Sequence, residues 1–244
     1  MSDRHFGIGG DGIILIENSD LADFRMRIFN SDGSEAEMCG NGIRCVGKYV
    51  YDNGLTNKKN ISIETLAGIK NLKLSCDKGK CYEVEVDMGE PIFKDTELPT
   101  IQDEEMTKDL KLNVGGEDYR FTLVSMGNPH AITFVEDVDK IPIEKYGPMI
   151  ENNKIFPNRT NVEFVQIDDK NHIKMRVWER GAGETFACGT GACASVVAGG
   201  INGYTGDEVT VELPGGNLNI KWDKNNHIYM KGTATKVFEG EIDI

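Results

Sequence analysis

The sequence predicts an α+β chain made of two similar units, each a mixed β-sheet or barrel wrapped round a central helix. Three observations lead there. Segments with strand patterning dominate, and helical segments are few. One pattern, Cys-Gly-x-Gly followed by a helix and further strands, occurs twice: MCGNGIRCVGKYV at 38–50 and ACGTGACASVVAG at 187–199. A repeat of this kind implies two units of the same build.

The strand segments run in order as GIILIE (12–17), FRMRIFN (24–30), ISIET (61–65), IKNLKLSC (69–76) and CYEVEVDM (81–88). FTLVSM (121–126), HAITFVED (130–137), NVEFVQI (161–167) and IKMRVWE (173–179) follow. EVTVEL (208–213), NLNIKW (217–222) and a tail from Ile228 to Phe238 complete the set. Many alternate apolar and polar residues with period two. The polar stretches DMGEP and KDTELPTIQDEE mark a connection after the first group. The expected domains are 1–87 plus 233–244 and, between them, 88–232.

Three helices are expected. The first runs from Gly42 to about Asn53, with Gly54 at its C-terminal end. The second, Gly191 to about Ile201, carries almost no charge and should be buried on all sides. A third lies within IPIEKYGPMIENN (141–153), with an interruption near Gly147-Pro148. The two units are not matched in strand count. Four strand segments precede Cys188 in its unit and two precede Cys39, so the first unit is expected to be about two strands short at its start.

The chain has 244 residues, 39% of them hydrophobic, which is enough for one large or two modest cores. The formal net charge is −13, and the densest basic run is NKKN at 57–60. That argues against nucleic-acid partners and against docking on an anionic membrane. No apolar stretch approaches the length of a membrane span, and no secretory signal opens the sequence. The expected setting is the cytosol, where the six cysteines stay reduced. Their spacings, C-x5-C, C-x4-C and C-x4-C, lack the paired arms of a zinc ribbon, so no metal site is expected.

Cys39 and Cys188 stand where a packing cysteine would not be expected, directly before Gly-x-Gly at the start of a helix. The glycines allow a tight turn that leaves amide groups pointing outward. The helix start adds unpaired amides and about half a positive charge. Such a place binds a carboxylate. It also favours thiolate, which predicts thiol pKa values lowered into the range of roughly 3.5–7.5. Two matched thiols suit the transfer of a proton from one face of a carbon to the other, one as base and one as acid. The carboxylate cradle would hold the developing charge.

DRHFGIGGDGIILIE, FRMRIFNSDGSEAEMCGNGIRC, GLTNKK, VDMGEP, SMGNPHAITFV, RTNVEFV, VWERGAGETFACGTGACAS and VELPGGNL follow one another in order over essentially the whole chain. In these segments the sequence resembles the diaminopimelate epimerases, cofactor-independent enzymes of lysine and peptidoglycan-precursor biosynthesis. The resemblance implies the duplicated fold, with the last strand returning to the first unit. It implies Cys39 and Cys188 as the catalytic acid–base pair. Gly40-Asn41 and Gly189-Thr190 would hold the carboxylate at the reacting carbon. Asn30, Asn128, Asn161, Glu179 and Arg180 would grip the distant end of the substrate, with Arg180 matching a carboxylate by its planar fork. His130 and Glu179 would modulate the thiol pKa values, and Phe238 would lie at a homodimer contact. No cofactor, nucleic acid or membrane is implied. Members of the family begin some thirty residues earlier, in keeping with the strand count. The alternatives are a proline- or hydroxyproline-type racemase with the same two-thiol chemistry and a non-catalytic amino-acid-binding relative.

Overall fold

The computed structural model describes residues 2–3, 5–94, 98 and 106–241. Most of the polar connection at 94–105 therefore lies outside the described residues, as do the last three residues of the expected first domain. The chain divides into two compact units. Unit 1 is Met1–Glu85 with Gly232–Ile244, and unit 2 is Val86–Lys231.

Unit 1 contains β1 (Gly12–Glu17), β2 (Phe24–Asn30), β3 (Glu35–Ala36), helix α1 (Gly40–Asp52), β4 (Asn60–Thr65), β5 (Gly68–Asp77) and the first part, up to Glu85, of β6 (Lys80–Gly89). The strand order is β1-β2-β4-β5-β6, with β3 paired to β2. β2 and β4 run parallel, because α1 lies between them in the chain and crosses over. The apolar face of α1 carries Ile43, Val46 and Val50 at helical spacing, all buried. Met26, Ile28, Ile61, Ile63, Leu72, Leu74 and Val84 on the strands of the unit are buried as well, and Leu72, Leu74 and Val84 close on α1 at Gly47. A partly buried flank is stapled by Lys48 to Asp52, four residues on, at 2.8 Å.

Unit 2 contains β7 (Leu110–Val114), β8 (Glu117–Ser125), β9 (Pro129–Phe134), α2 (Ile143–Glu151), β10 (Asn161–Asp169), β11 (His172–Glu179) and β12 (Gly183–Thr185). Helix α3 (Gly189–Ile201) and strands β13 (Glu208–Leu213), β14 (Gly216–Trp222) and β15 (Ile228–Gly232) follow. The order is β15-β14-β13-β11-β10-β9-β8-β7, with β12 on β11. β9/β10 and β11/β13 are parallel pairs. Ten of the thirteen residues of α3 are buried. It touches β8, β9, β10, β13 and β14, so the sheet wraps round it. Its small side chains allow that close approach.

The two faces of β10 have different tasks. Val162 and Phe164 join Tyr119, Phe121, Tyr146, Ile150 and Trp178 in the core beneath α2. The alternate residues Asn161, Glu163 and Val165 lie on the other face, the side of α3. The register pairs Asn161 with His130 on β9 and Glu163 with Val177 on β11. His130, Asn161, Glu163 and Glu179 therefore share one face of the sheet.

Four expectations are corrected. The helices begin at Gly40 and Gly189, not Gly42 and Gly191, with Cys39 and Cys188 as their N-caps. α2 is not interrupted: Pro148 lies inside it. Gly147 beside it seats the helix on Trp178, leaving no room for a side chain, since a Cβ there would lie 2.4 Å from Trp178 Cγ. Packing thus offsets the backbone hydrogen bond that Pro148 cannot make. The last strand ends at Gly232, not near Phe238. The Thr233 carbonyl takes an N–H from Arg44 at 3.4 Å, and Val237 and Phe238 stay exposed. Finally, β3, β7 and β12 have no counterpart among the expected strands; β3 and β12 are too brief for a period-two signal, whereas LKLNV of β7 does alternate.

Candidate active site

Each Cys-Gly-x-Gly segment is a helix N-terminus capped by sulfur. Cys39 has extended backbone angles, and its Sγ accepts the amide N–H of Gly42 at 3.3 Å. Cys188 is built in the same way, with Sγ accepting from Gly191 at 3.4 Å. Cysteine takes the position usually filled by Ser, Thr, Asp or Asn. One amide at each helix start is thereby aimed at a thiol sulfur.

The surroundings of the two thiols differ. In unit 1 the buried Arg44 donates to the Gly40 carbonyl and to Asn41 Oδ1, both at 3.1 Å, so a guanidinium backs the turn. In unit 2 the neighbours are carboxylates. Cys188 is 5% exposed. Its thiol is pushed well above the ordinary range by burial first, then by Glu179 and Glu163; the Thr190 hydroxyl and Gly191 amide oppose the rise. The expectation of a lowered pKa is corrected for Cys188: dry surroundings and two acidic side chains outweigh the helix start.

A chain of hydrogen bonds leads to that sulfur. Glu163 Oε1 lies 2.6 Å from His130 Nδ1, and both side chains are fully buried. His130 Nε2 lies 3.1 Å from Asn128 Oδ1. Asn128 Nδ2 donates to Thr190 Oγ1 at 3.3 Å, and Thr190 Oγ1 lies 3.5 Å from Cys188 Sγ. Burial raises the Glu163 pKa, against the pull of His130. Glu179, at the end of β11, accepts the Thr185 hydroxyl.

The loop after β11 is held from both sides. Asn161 Oδ1 accepts the Arg180 amide at 2.9 Å, while its Nδ2 donates to the Pro129 carbonyl at 2.9 Å. Arg180 donates to the Asn158 carbonyl at 3.3 Å. On the far face, Glu151 accepts from Trp178 Nε1 at 2.7 Å and from the Gly181 amide at 2.9 Å.

His130, Asn128, Thr190 and Gly189 thus gather at Cys188, while Gly40 and Asn41 stand beside Cys39. Asn161, Glu179 and Arg180 form the neighbouring strand end. Asn30 closes the β2–β3 turn: its amide groups bond Ser34 O at 2.8 Å and Ser34 Oγ at 3.0 Å. Phe238 is 64% exposed in the tail of unit 1. Sequence reasoning missed Glu163, Arg44 and Glu151. Only Glu163 left a signal, an acidic residue at an inward position of NVEFV.

The diaminopimelate epimerase family model matches residues 1–94 and 122–237. The chain belongs to the diaminopimelate epimerase family. It is 60% identical over 245 aligned residues to the diaminopimelate epimerase of Methanococcus maripaludis strain S2, covering 100% of this chain and 88% of that one. The corresponding figures for the diaminopimelate epimerase of Acetivibrio thermocellus are 58%, 100% and 88%. As a member of the epimerase family the chain is an isomerase. Solved structures share the fold. A PhzF-family phenazine biosynthesis protein from Bacillus anthracis superposes with TM-score 0.70 at 23% identity, over 97% of this chain and 86% of that one. A probable proline racemase from Agrobacterium radiobacter K84 gives TM-score 0.71 at 16% identity, over 96% and 75%. At that identity it shows the fold alone, so the racemase alternative gives way to the epimerase reading. Among the described residues no helix is long and apolar enough to cross a membrane.

Proposed function

We propose that this chain interconverts LL- and meso-diaminopimelate by proton transfer at the α-carbon, with Cys39 and Cys188 as the acid–base pair. The observation that carries the reading is the matched N-cap geometry, with each sulfur accepting the third amide of its helix. The amides of Gly40-Asn41 and Gly189-Thr190, at the positive ends of the helices, suit the carboxylate next to the reacting carbon. One thiolate removes the α-proton. The thiol on the other cysteine returns a proton to the opposite face, inverting the carbon. Charge that develops on the carboxylate is met by fixed amide dipoles. Burial first, then the neighbouring acidic side chains with Glu179 foremost, hold Cys188 as a thiol, which suits it to be the donor at the start of the cycle. In the return direction the roles exchange.

Asn30, Asn128, Asn161, Glu179 and Arg180 recognise the distant amino-acid group, and His130 and Glu179 tune the thiols. The enzyme works in the cytoplasm, in the supply of lysine and peptidoglycan precursor, as a homodimer with Phe238 at the contact. The exposure of Phe238 supports that last assignment. The test is exchange of the substrate α-hydrogen for solvent deuterium. Cys39→Ala and Cys188→Ala should each lose about 10²–10⁴-fold in rate. Cys45→Ala and Cys193→Ala should lose far less. Normal exchange in either of the first two variants ends the two-thiol reading.

A further inference from the structure

We propose that Glu163 is a positioning residue whose shared proton sets the direction of the hydrogen-bond chain ending on Cys188 Sγ. The inference rests on the acid–base role given above to Cys188 and adds a residue to it. All groups concerned lie in unit 2.

The direction follows from counting hydrogens. Asn128 donates its amide N–H to Thr190, so its Oδ1 is the atom facing His130 Nε2. A carbonyl oxygen only accepts, and therefore Nε2 carries a hydrogen. At the other end, 2.6 Å between Nδ1 and Glu163 Oε1 requires one proton between them. The pair holds two protons in all. Written as carboxylic acid with neutral imidazole or as carboxylate with imidazolium, it is neutral. Because Thr190 Oγ1 accepts from Asn128, its own hydrogen is left for Sγ at 3.5 Å. From His130 Nε2 onward every link then donates toward Cys188, and the sulfur receives both the Thr190 O–H and the Gly191 N–H.

Remove one proton from the pair and the chain reverses. Nδ1–H now donates to an ionised Glu163, leaving Nε2 bare. Asn128 must turn its N–H to Nε2, and its Oδ1 then draws the Thr190 hydroxyl away from sulfur. The burial of Glu163 favours the two-proton state. Its Oε2 is buried and has no hydrogen-bond partner among the described residues, a costly place for an ionised oxygen. The Gly191 site confines the carboxyl: a Cβ there would lie 2.6 Å from Oε1. The titratable groups acting on Glu163 are His130 on β9 and Glu179 on β11; those acting on Cys188 are Glu179 and Glu163. Thus Glu163 governs how well a buried thiolate at Cys188 is received when the reaction delivers one.

The decisive measurement is the tautomer of His130, read by nitrogen NMR of the full chain labelled in histidine. Nε2–H is expected in the parent at neutral pH. Glu163→Gln, whose amide N–H donates permanently to Nδ1, should keep that tautomer as pH rises and should lose the alkaline limb of kcat that arises from this pair. Glu163→Leu releases the direction and should lower kcat tenfold or more with KM within threefold. The rate of Cys188 alkylation by iodoacetamide against pH, mapped by mass, gives the thiol pKa without turnover. Thr190→Val should raise it by about one unit or more, and Glu163→Gln should not raise it. An Nδ1–H tautomer with bare Nε2 at neutral pH overturns the proposal, as do equal kcat losses in folded Gln and Leu variants. Should Glu163→Leu not fold, the tautomer and the Gln variant decide. Neither the tautomer nor the alkylation profile depends on epimerisation, so these readouts separate failure here from failure of the two-thiol reaction.

Discussion

The indole N–H of Trp178 donates to Glu151 Oε2 at 2.7 Å, tying the last turn of α2 to the strand that ends in Glu179, just before Arg180. The other oxygen of Glu151 takes the Gly181 amide at 2.9 Å and Arg159 at 3.1 Å. A carboxylate only 5% exposed thus meets three donors, which satisfies its charge. Glu151→Gln turns one acceptor into a donor facing another N–H. It should cost about 1–3 kcal/mol in urea unfolding. In the surviving folded enzyme KM should rise more than kcat falls, because the loop bearing Arg180 loses its anchor. Unchanged stability would show that the three bonds hold nothing in place.

Arg180→Lys tests the distal grip. The charge is kept and the planar fork is lost. The expected outcome is a higher KM for diaminopimelate with a smaller change in kcat, since the contact is remote from the reacting carbon. Unchanged steady-state constants would make Arg180 a loop-holding residue, one whose bonds to the Asn158 carbonyl and to Asn161 Oδ1 serve the loop rather than the substrate.

The second glycine of each motif can be compared directly. A Cβ on Gly191 meets Glu163 Oε1 at 2.6 Å, while one on Gly42 meets the flexible end of Ile14 at 2.6 Å. Glu163 is fixed by His130 and cannot retreat, whereas Ile14 Cδ1 can. Gly191→Ala should therefore destabilise by about 1–3 kcal/mol and lower kcat tenfold or more. Gly42→Ala should be the milder of the two in thermal melts and assay. Equal losses would contradict the rigid placement of Glu163.

Alkaline pH should expose the raised thiol of Cys188. Its folded pKa lies above the unfolded value near 9.0, so its contribution to stability is complete below that pH and is lost as pH rises toward the folded value. Cys81, pushed up to about 11 by burial and Cys76, and Tyr119, pushed up to about 12 by burial and Glu117, act in the same sense. The melting temperature should fall above about pH 9. Cys188→Ala should flatten that fall without removing it. A slope unchanged by the substitution would place Cys188 in wetter surroundings than its burial indicates.

The repeat, most strand segments and both thiols at helix starts were legible in the sequence, because each is written in residues close together along the chain. A continuous apolar run marks GIILIE and period-two alternation marks FRMRIFN, and both appear as strands with those bounds. The uncharged run GACASVVAGGI announces a buried helix, as α3 proves to be. What came out differently depends on partners far away in sequence. Pro148 stays helical because Trp178, thirty residues on, packs against Gly147. The tail after Gly232 leaves the ladder where the Thr233 carbonyl turns to Arg44, 189 residues earlier. Glu163 reads locally as one charge in a strand. Only the parallel register of β9 and β10 brings it to His130 and, through Asn128 and Thr190, to Cys188. The same register surrounds Cys188 with carboxylates and removes it from water, reversing the pKa that its helix start alone would set. Local pattern determines which elements form; the dielectric and the charges around a thiol are fixed only when the sheet closes round it.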